Sequence, residues 1–96
     1  YKKPVDALAA NLDFSQAIKL DPTQVRYYDA RGRLRNDSKD YQGAIADYTK
    51  VLQLAPSANV YSDRGFAFAA LGKDDAAIAD YHQAIRLVPK HLKAYY

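Results

Sequence analysis

Histidine is the side chain best suited to bind a metal or to exchange protons near neutral pH, and this chain carries two of them. His82 and His91 lie on different predicted helices and fit neither an H-x-x-x-H nor an H-E-x-x-H zinc motif. The serines lie in no G-x-S-x-G elbow, and the glycines form no phosphate-binding loop. The carboxylates Asp74 and Asp75 stand at a predicted helix start, where capping and the helix dipole account for them. We therefore expect no catalytic residue, no metal site, no cofactor and no enzymatic activity.

The elements that hold these side chains are copies of one unit of about 34 residues, a length typical of helical repeats. Pro22, Pro56 and Pro89 mark its period. In the first half of the unit, Arg31 and Gly32 are matched by Arg64 and Gly65. The second half repeats an alanine, an aspartate, an aromatic residue and a leucine in the same register: Ala10, Ala44 and Ala77; Asp13, Asp47 and Asp80; Phe14, Tyr48 and Tyr81; Leu20, Leu54 and Leu87. Such a period indicates an array of helical repeats, in which each unit buries its apolar face against the next.

Each full unit contains a tyrosine, an Arg-Gly pair, an Ala-x3-Tyr segment and a closing proline. This pattern resembles the tetratricopeptide repeat (TPR). The R-G and A-I-A-D-Y segments are similar to repeats of bacterial, especially cyanobacterial, TPR proteins. Two departures stand out: Arg31 and Arg64 replace the usual leucine, and Arg35 replaces the second aromatic residue. The resemblance implies an all-α fold, a TPR α-solenoid of antiparallel helix pairs in a right-handed superhelix, with about two full repeats plus flanking helices.

We expect one TPR domain over residues 1–96. Residues 1–22 are assigned to the second helix of a partial repeat or cap, residues 25–57 and 58–90 to two repeats, and residues 91–96 to the start of the next helix. Because both ends fall inside a repeat, we expect a piece of a longer protein. Helices are predicted over about 23–37, 41–54, 58–71 and 75–87. Asp40 and Asp74 are the predicted N-caps, and Gly72 is the predicted left-handed residue at a helix end.

Two glycines fall inside predicted helices, where glycine costs about 0.5–1 kcal/mol relative to alanine. Gly32 and Gly65 recur in register, which indicates a packing role for both. We expect the paired helix to approach closely at these positions, through its small residues Ala44 and Ala77.

Two arginines fall on the apolar stripes of their helices. A charge buried at Arg31 or Arg64 is costly unless it is paired. The recurring aspartates supply three candidate partners, Asp13, Asp47 and Asp80, and the spacing leaves open which aspartate serves which arginine. The alternative is that both guanidinium groups extend to solvent past their apolar stems. The recurring tyrosines are assigned to the core between helices: Tyr28, Tyr41, Tyr48, Tyr61 and Tyr81.

In the TPR family the first helices of successive pairs line a concave groove that takes peptides. The resemblance places ten residues there: Arg26, Asp29, Arg33 and Asn36 of the first full unit, Asn59, Ser62, Phe66 and Ala69 of the second, and Lys93 and Tyr96 of the next helix. Phe66 is expected to be an apolar anchor, and Arg26 and Arg33 to attract an acidic ligand. Chaperone-binding TPR domains clamp a terminal carboxylate with lysines, whereas Asp29 and Ser62 stand at those positions here.

Composition narrows the classes of partner. The net charge of +3 is spread without a Lys/Arg cluster, so a nucleic-acid footprint is not indicated. No apolar run approaches the roughly 18 residues of a membrane span. With no cysteine and no export signal, the cytoplasm is the default compartment. The favoured function is a protein–protein interaction scaffold that binds a peptide segment. The alternatives are self-association through exposed repeat ends such as Tyr95 and Tyr96, which would give a homo-oligomer, and an RNA-binding helical repeat, which the balanced charge disfavours.

Overall fold

A computed structural model describes residues 13–88 of the chain. Within this range the regular secondary structure is entirely helical, and none of its helices is long and apolar enough to cross a bilayer. The predictions made for residues 1–12 and 89–96, including those for Lys93 and Tyr96, lie outside the described residues. The helices are α1 over 13–20, α2 over Val25–Asp37, α3 over Tyr41–Leu54, α4 over Ala58–Ala70 and α5 over Asp74–Leu87.

Short turns join the helices into pairs that stack on one another. Helix α2 packs on α3, α4 packs on α5, and α3 packs on α4 to join the two pairs. The tight connection within each pair makes its two helices antiparallel neighbours. The predicted all-α helical-repeat fold is thereby confirmed, and α2 and α4 are the two first helices of the stack.

The N-caps of α3 and α5 differ. Asp40 caps α3 as predicted, since its Oδ1 accepts a hydrogen bond of 3.1 Å from the Gly43 amide. The prediction for Asp74 was wrong because α5 begins one residue earlier than expected. Lys73 is the N-cap of α5, and its side chain makes no capping hydrogen bond. Asp74 and Asp75 instead lie in the first turn of α5, where their charges still complement the positive end of the helix dipole.

The turn inside each pair contains a residue in the left-handed conformation. Gly72 has the predicted positive φ, 78°, and its amide donates to the Ala69 carbonyl. Lys39 occupies the equivalent turn of the preceding repeat with φ of 67°. A side chain in this region of backbone space costs roughly 1–2 kcal/mol. The first turn is therefore strained in a way that the second is not.

The core lies where α2, α3 and α4 meet. Its largest buried side chains include Tyr28, Tyr48 and Leu52, which cluster with Val60 of the next pair. Tyr41 and Tyr61 are partly buried, and Tyr61 packs against this core. The assignment of Tyr81 to the core was wrong, since 37% of its surface is exposed. The equivalent Tyr48 is covered because the following helix, α4, packs on α3. Within residues 13–88 no helix follows α5 to cover Tyr81.

Gly32 and Gly65 allow close packing, but the partner differs from the expected one. A methyl group added at Gly32 would lie 2.8 Å from a ring carbon of Tyr48, and one added at Gly65 would lie 2.9 Å from a ring carbon of Tyr81. The nearest atoms thus belong to tyrosine rings, one turn beyond the alanines we expected. Each glycine leaves room for a ring to lie against the backbone of its helix.

Candidate functional site

The eight described candidates for the groove lie on α2 and α4, which are neighbours in the stack. On α2 they follow one another at spacings of three or four positions, so they share one side of the helix. We call the surface that they form the inner face. Its exposed members are Arg26, Arg33, Asn59, Phe66 and Ala69, and its partly buried members are Asp29, Asn36 and Ser62.

A cluster of three charged residues joins the two helices of the inner face. Arg33 donates from Nη2 to Asp29 Oδ2 over 3.1 Å, an i, i+4 pair along α2. Asp63 of α4 faces this pair: burial raises the pKa of its carboxyl, Arg33 lowers it, and Asp29 raises it. Asp29 therefore binds the Arg33 guanidinium directly, and Asp63 lies near enough for its charge to interact with both groups. An acidic ligand, which we expected Arg33 to attract, would have to compete with these neighbours for it.

Asp63 was missed in reading the sequence because it lies beside the residues that the family resemblance places in the groove. The spacing could have indicated that Asp63 lies near the candidate groove. Asp63 and Phe66 are an i, i+3 pair and therefore lie one helical turn apart on the same side of α4. The sequence does not show that Asp63 faces α2, because this depends on how the helices are rotated against each other.

Phe66 is the large apolar side chain of the inner face. Its ring packs edge-on against Tyr41, with centroids 6.3 Å apart and planes at 69°. This is a favoured geometry for aromatic pairs. The contact orients the ring and still leaves 53% of Phe66 exposed. At the other end of the face, the Arg26 guanidinium lies 5.5 Å from the centre of the Tyr27 ring.

Arg31 and Arg64, which are both partly buried, each bind an aspartate of their own helix pair. Arg31 makes a two-pronged contact to Asp47, through Nε at 2.9 Å and Nη2 at 2.7 Å. Arg64 binds Asp80 in the same way, with both distances 2.7 Å. These bonds to the carboxylates raise the pKa of both guanidinium groups. Of the candidate partners, Asp47 and Asp80 are used, and Asp13 is exposed.

The arginine side chains do not extend to solvent, since only 16% of Arg31 and 19% of Arg64 is exposed. Their remaining donors point to the preceding helix pair. Arg31 Nη1 donates to Ser15 Oγ at 2.8 Å, and Arg64 Nη1 donates to Thr49 Oγ1 at 3.1 Å. Ser15 and Thr49 occupy equivalent positions of successive repeats. Each arginine therefore links its own pair to the one before it.

The two arginine sites differ in one neighbour. In the first repeat, Arg35 Nη1 also reaches Asp47, over 3.2 Å, so two cations share that carboxylate. Phe68 is the equivalent residue of the second repeat, and its ring centre lies 5.6 Å from the Arg64 guanidinium. A cation–π contact therefore replaces a second ion pair where the sequence departs from its own repeat.

Comparison with known proteins agrees with this geometry. One tetratricopeptide repeat model matches residues 25–57 and another matches residues 58–91. The chain belongs to the tetratricopeptide repeat family. The small glutamine-rich tetratricopeptide repeat-containing protein 2 of Mycosarcoma maydis is 43% identical over 67 residues, which are 69% of this chain and 19% of that protein. Human serine/threonine-protein phosphatase 5 is 32% identical over 90 residues, which are 93% of this chain and 18% of that protein.

The TPR chain also superposes on a solved structure. The crystal structure of MamA matches it with a TM-score of 0.82 over 94% of this chain and 52% of the MamA chain. At 24% identity, this likeness concerns the fold alone. The chain spans less than a fifth of the length of the two relatives named above, so the activity named for the phosphatase is not transferred to it.

As a TPR domain, the protein is a protein–protein interaction module. Among residues 13–88, no group of three or more His, Asp or Glu side chains could hold a metal ion. His82 is exposed on α5, and His91 lies outside the described residues. The inner face and its neighbour Asp63 offer one exposed ring, two arginines and two partly buried carboxylates on adjacent helices.

Proposed function

We propose that the TPR domain binds a peptide segment of another protein on the inner face of α2 and α4. The supporting observation is Phe66, which is held edge-on by Tyr41 and still half exposed. A ring that is already oriented loses little side-chain entropy when a ligand covers it. It lies one turn from the charged cluster of Arg33, Asp29 and Asp63, so an apolar anchor and polar contacts are available side by side.

Covering the exposed part of the Phe66 ring would add to the affinity for a ligand. Fully burying a phenylalanine contributes about 1.5–3 kcal/mol, so covering the exposed half of Phe66 contributes about 1 kcal/mol, or roughly fivefold in the dissociation constant. The charged cluster would select which charged residues the peptide carries next to the residue that covers Phe66. An acidic ligand group would compete with Asp29 for Arg33, whereas a basic one would pair with Asp63.

Selection from a phage-displayed library of random peptides, each about 12 residues long, tests the proposal with the whole chain as target. An extended segment of that length is enough to span the roughly 20 Å of a helix such as α2 or α4. Affinities of the selected peptides are then measured by fluorescence anisotropy. We expect Phe66→Ala to weaken binding about fivefold or more and Arg33→Glu to change the charge preference of the peptides that bind.

Ile78→Ala is the matched control, because Ile78 is exposed to the same extent, 53%, but lies on α5. It should leave peptide affinity unchanged, and circular dichroism checks that each variant is folded. Selected peptides that bind Phe66→Ala as tightly as the parent chain would overturn the proposal, as would a selection that yields no binding peptide.

A further inference from the structure

The charged cluster of the inner face has more hydrogen-bond acceptors than donors to satisfy them. Asp29 Oδ2 accepts from Arg33, but Asp29 Oδ1 is buried and has no hydrogen-bond partner among residues 13–88. Asp63 takes part in none of the hydrogen bonds and ion pairs within this range, and burial raises the pKa of its carboxyl. The cluster contains two carboxylates and one guanidinium, so it carries one negative charge in excess.

The buried hydroxyl of Tyr48 senses the same excess of negative charge. Tyr48 is 1% exposed, and its ring lies against the backbone of α2. Burial raises the pKa of its hydroxyl, which forms no hydrogen bond within residues 13–88. The charges of Asp63, Asp29 and Asp37 raise this pKa further, and the charge of Arg33 lowers it. Three carboxylates against one guanidinium give a negative potential between α2 and α4, which attracts a cation.

We propose that the peptide bound on the inner face carries a lysine or arginine, which reaches the charged cluster while an apolar neighbour in the peptide covers Phe66. This inference rests on the proposed peptide site and names the class of ligand that fits it. An ammonium or guanidinium group brings the positive charge and the N–H donors that Asp63 and Asp29 lack. Both carboxylates are only partly buried. An acidic group would instead add a third negative charge and would have to displace Asp29 from Arg33.

The spacing along α4 determines where the basic residue stands in the peptide. Asp63 and Phe66 are three positions apart, so their Cα atoms are separated by about 4.5 Å along the helix axis. Successive residues of an extended peptide advance by about 3.3 Å. We therefore expect the lysine or arginine one or two positions from the apolar residue that covers Phe66.

Selection from the random-peptide library tests this inference when the charge of the recovered sequences is the readout. It is run in parallel on the parent chain, on Asp63→Asn and on Asp75→Asn, a matched control that removes an exposed carboxylate of α5. Peptides recovered on the parent chain and on Asp75→Asn should be enriched about threefold or more in lysine and arginine beside an apolar residue. Peptides recovered on Asp63→Asn should lose this enrichment, and circular dichroism checks that each variant is folded.

Affinities of one recovered peptide then assign the preference to Asp63. Its basic residue is replaced by glutamine and, separately, by glutamate, and binding is followed by fluorescence anisotropy. On the parent chain, glutamine should weaken binding about fivefold, and glutamate should weaken it further. On Asp63→Asn the change to glutamine should weaken binding less than about twofold, whereas Asp75→Asn should behave like the parent chain.

The outcomes separate this inference from the proposed function. Peptides that lose affinity on Phe66→Ala but carry acidic residues, or no charged ones, would overturn the preference for basic residues and leave peptide binding intact. A basic preference that persists on Asp63→Asn would do the same. A selection without binding peptides, or one whose peptides bind Phe66→Ala as tightly as the parent chain, would overturn the proposed function and this inference with it.

Discussion

Replacing Arg64 by methionine removes the guanidinium that holds Asp80 and keeps most of the apolar stem. Asp80 has a side chain only 6% exposed, and both of its oxygens accept hydrogen bonds from Arg64. Without Arg64 these bonds are lost and the carboxylate is left buried and unpaired. Removing one partner of a buried ion pair costs about 3–5 kcal/mol. Because Arg64 is not fully buried, we expect a value near the lower limit, about 3 kcal/mol.

The measurement is urea denaturation followed by circular dichroism. With a urea dependence of about 1.5 kcal/mol per molar, a loss of about 3 kcal/mol lowers the midpoint by about 2 M. Arg33→Met is the matched control, since it removes a largely exposed arginine from an i, i+4 pair. Such pairs contribute only about 0.3–0.5 kcal/mol. A chain of this size has a total stability of roughly 5–15 kcal/mol, so the effect on Arg64 is readily resolved.

A double variant separates the ion pair from the loss of packing. When Asp80→Ala is combined with Arg64→Met, no unpaired charge remains, and we expect the double variant to be more stable than the sum of the single effects by about 2 kcal/mol. An Arg64→Met variant no less stable than Arg33→Met, or single effects that simply add, would refute the ion-pair account. In that case Arg64 contributes through its stem alone.

Five further substitutions, at three features of the fold, extend these tests. Gly32→Ala should destabilise the domain by about 1 kcal/mol, because the new methyl group meets a buried tyrosine ring, whereas Gly65→Ala should be close to neutral, because the ring there is partly exposed and can move. Lys39→Gly should stabilise the domain by about 1 kcal/mol by removing a side chain from a left-handed position, and Gly72→Lys should destabilise it by a similar amount. Asp63→Asn should stabilise the domain at neutral pH, because burial raises the pKa of this carboxyl and the ionised form is disfavoured in the folded state.

The sign of the last effect follows from the direction of the shift. Stability associated with Asp63 is fully present below the ordinary pKa of 3.8 and declines as the pH rises through the raised value. The stability gained in the Asp63→Asn variant should therefore disappear at about pH 3. A gain that persists at that pH would contradict a raised pKa at Asp63. The urea midpoint measures the stability of all five variants. Equal effects at Gly32 and Gly65 would show that ring mobility is irrelevant, and an unchanged midpoint for Lys39→Gly would show that its backbone carries no strain.

Helix positions and the repeat could be predicted from local pattern, because the signals involved act over short stretches of chain. The boundaries of α3 were predicted correctly from Asp40 and the proline after Ala55. The start of α5 was not predicted correctly. Aspartate is a preferred N-cap residue and lysine is not, so the sequence favoured Asp74, whereas the N-cap is Lys73. The left-handed turn was found at a glycine and overlooked at Lys39, although the repeat relates the two positions.

The sequence by itself determined that Arg31 and Arg64 lie on apolar stripes, since a helical period places both there, and it left pairing with an aspartate and extension to solvent as the two alternatives. Only the tertiary structure decided that these partners are Asp47 and Asp80, and that Asp63 of α4 lies near enough to Arg33 of α2 for their charges to interact. The physical reason is that spacing along a helix is set by its own backbone. Which side chains meet between helices depends on their relative rotation and shift, and these are set by the packing of the whole stack.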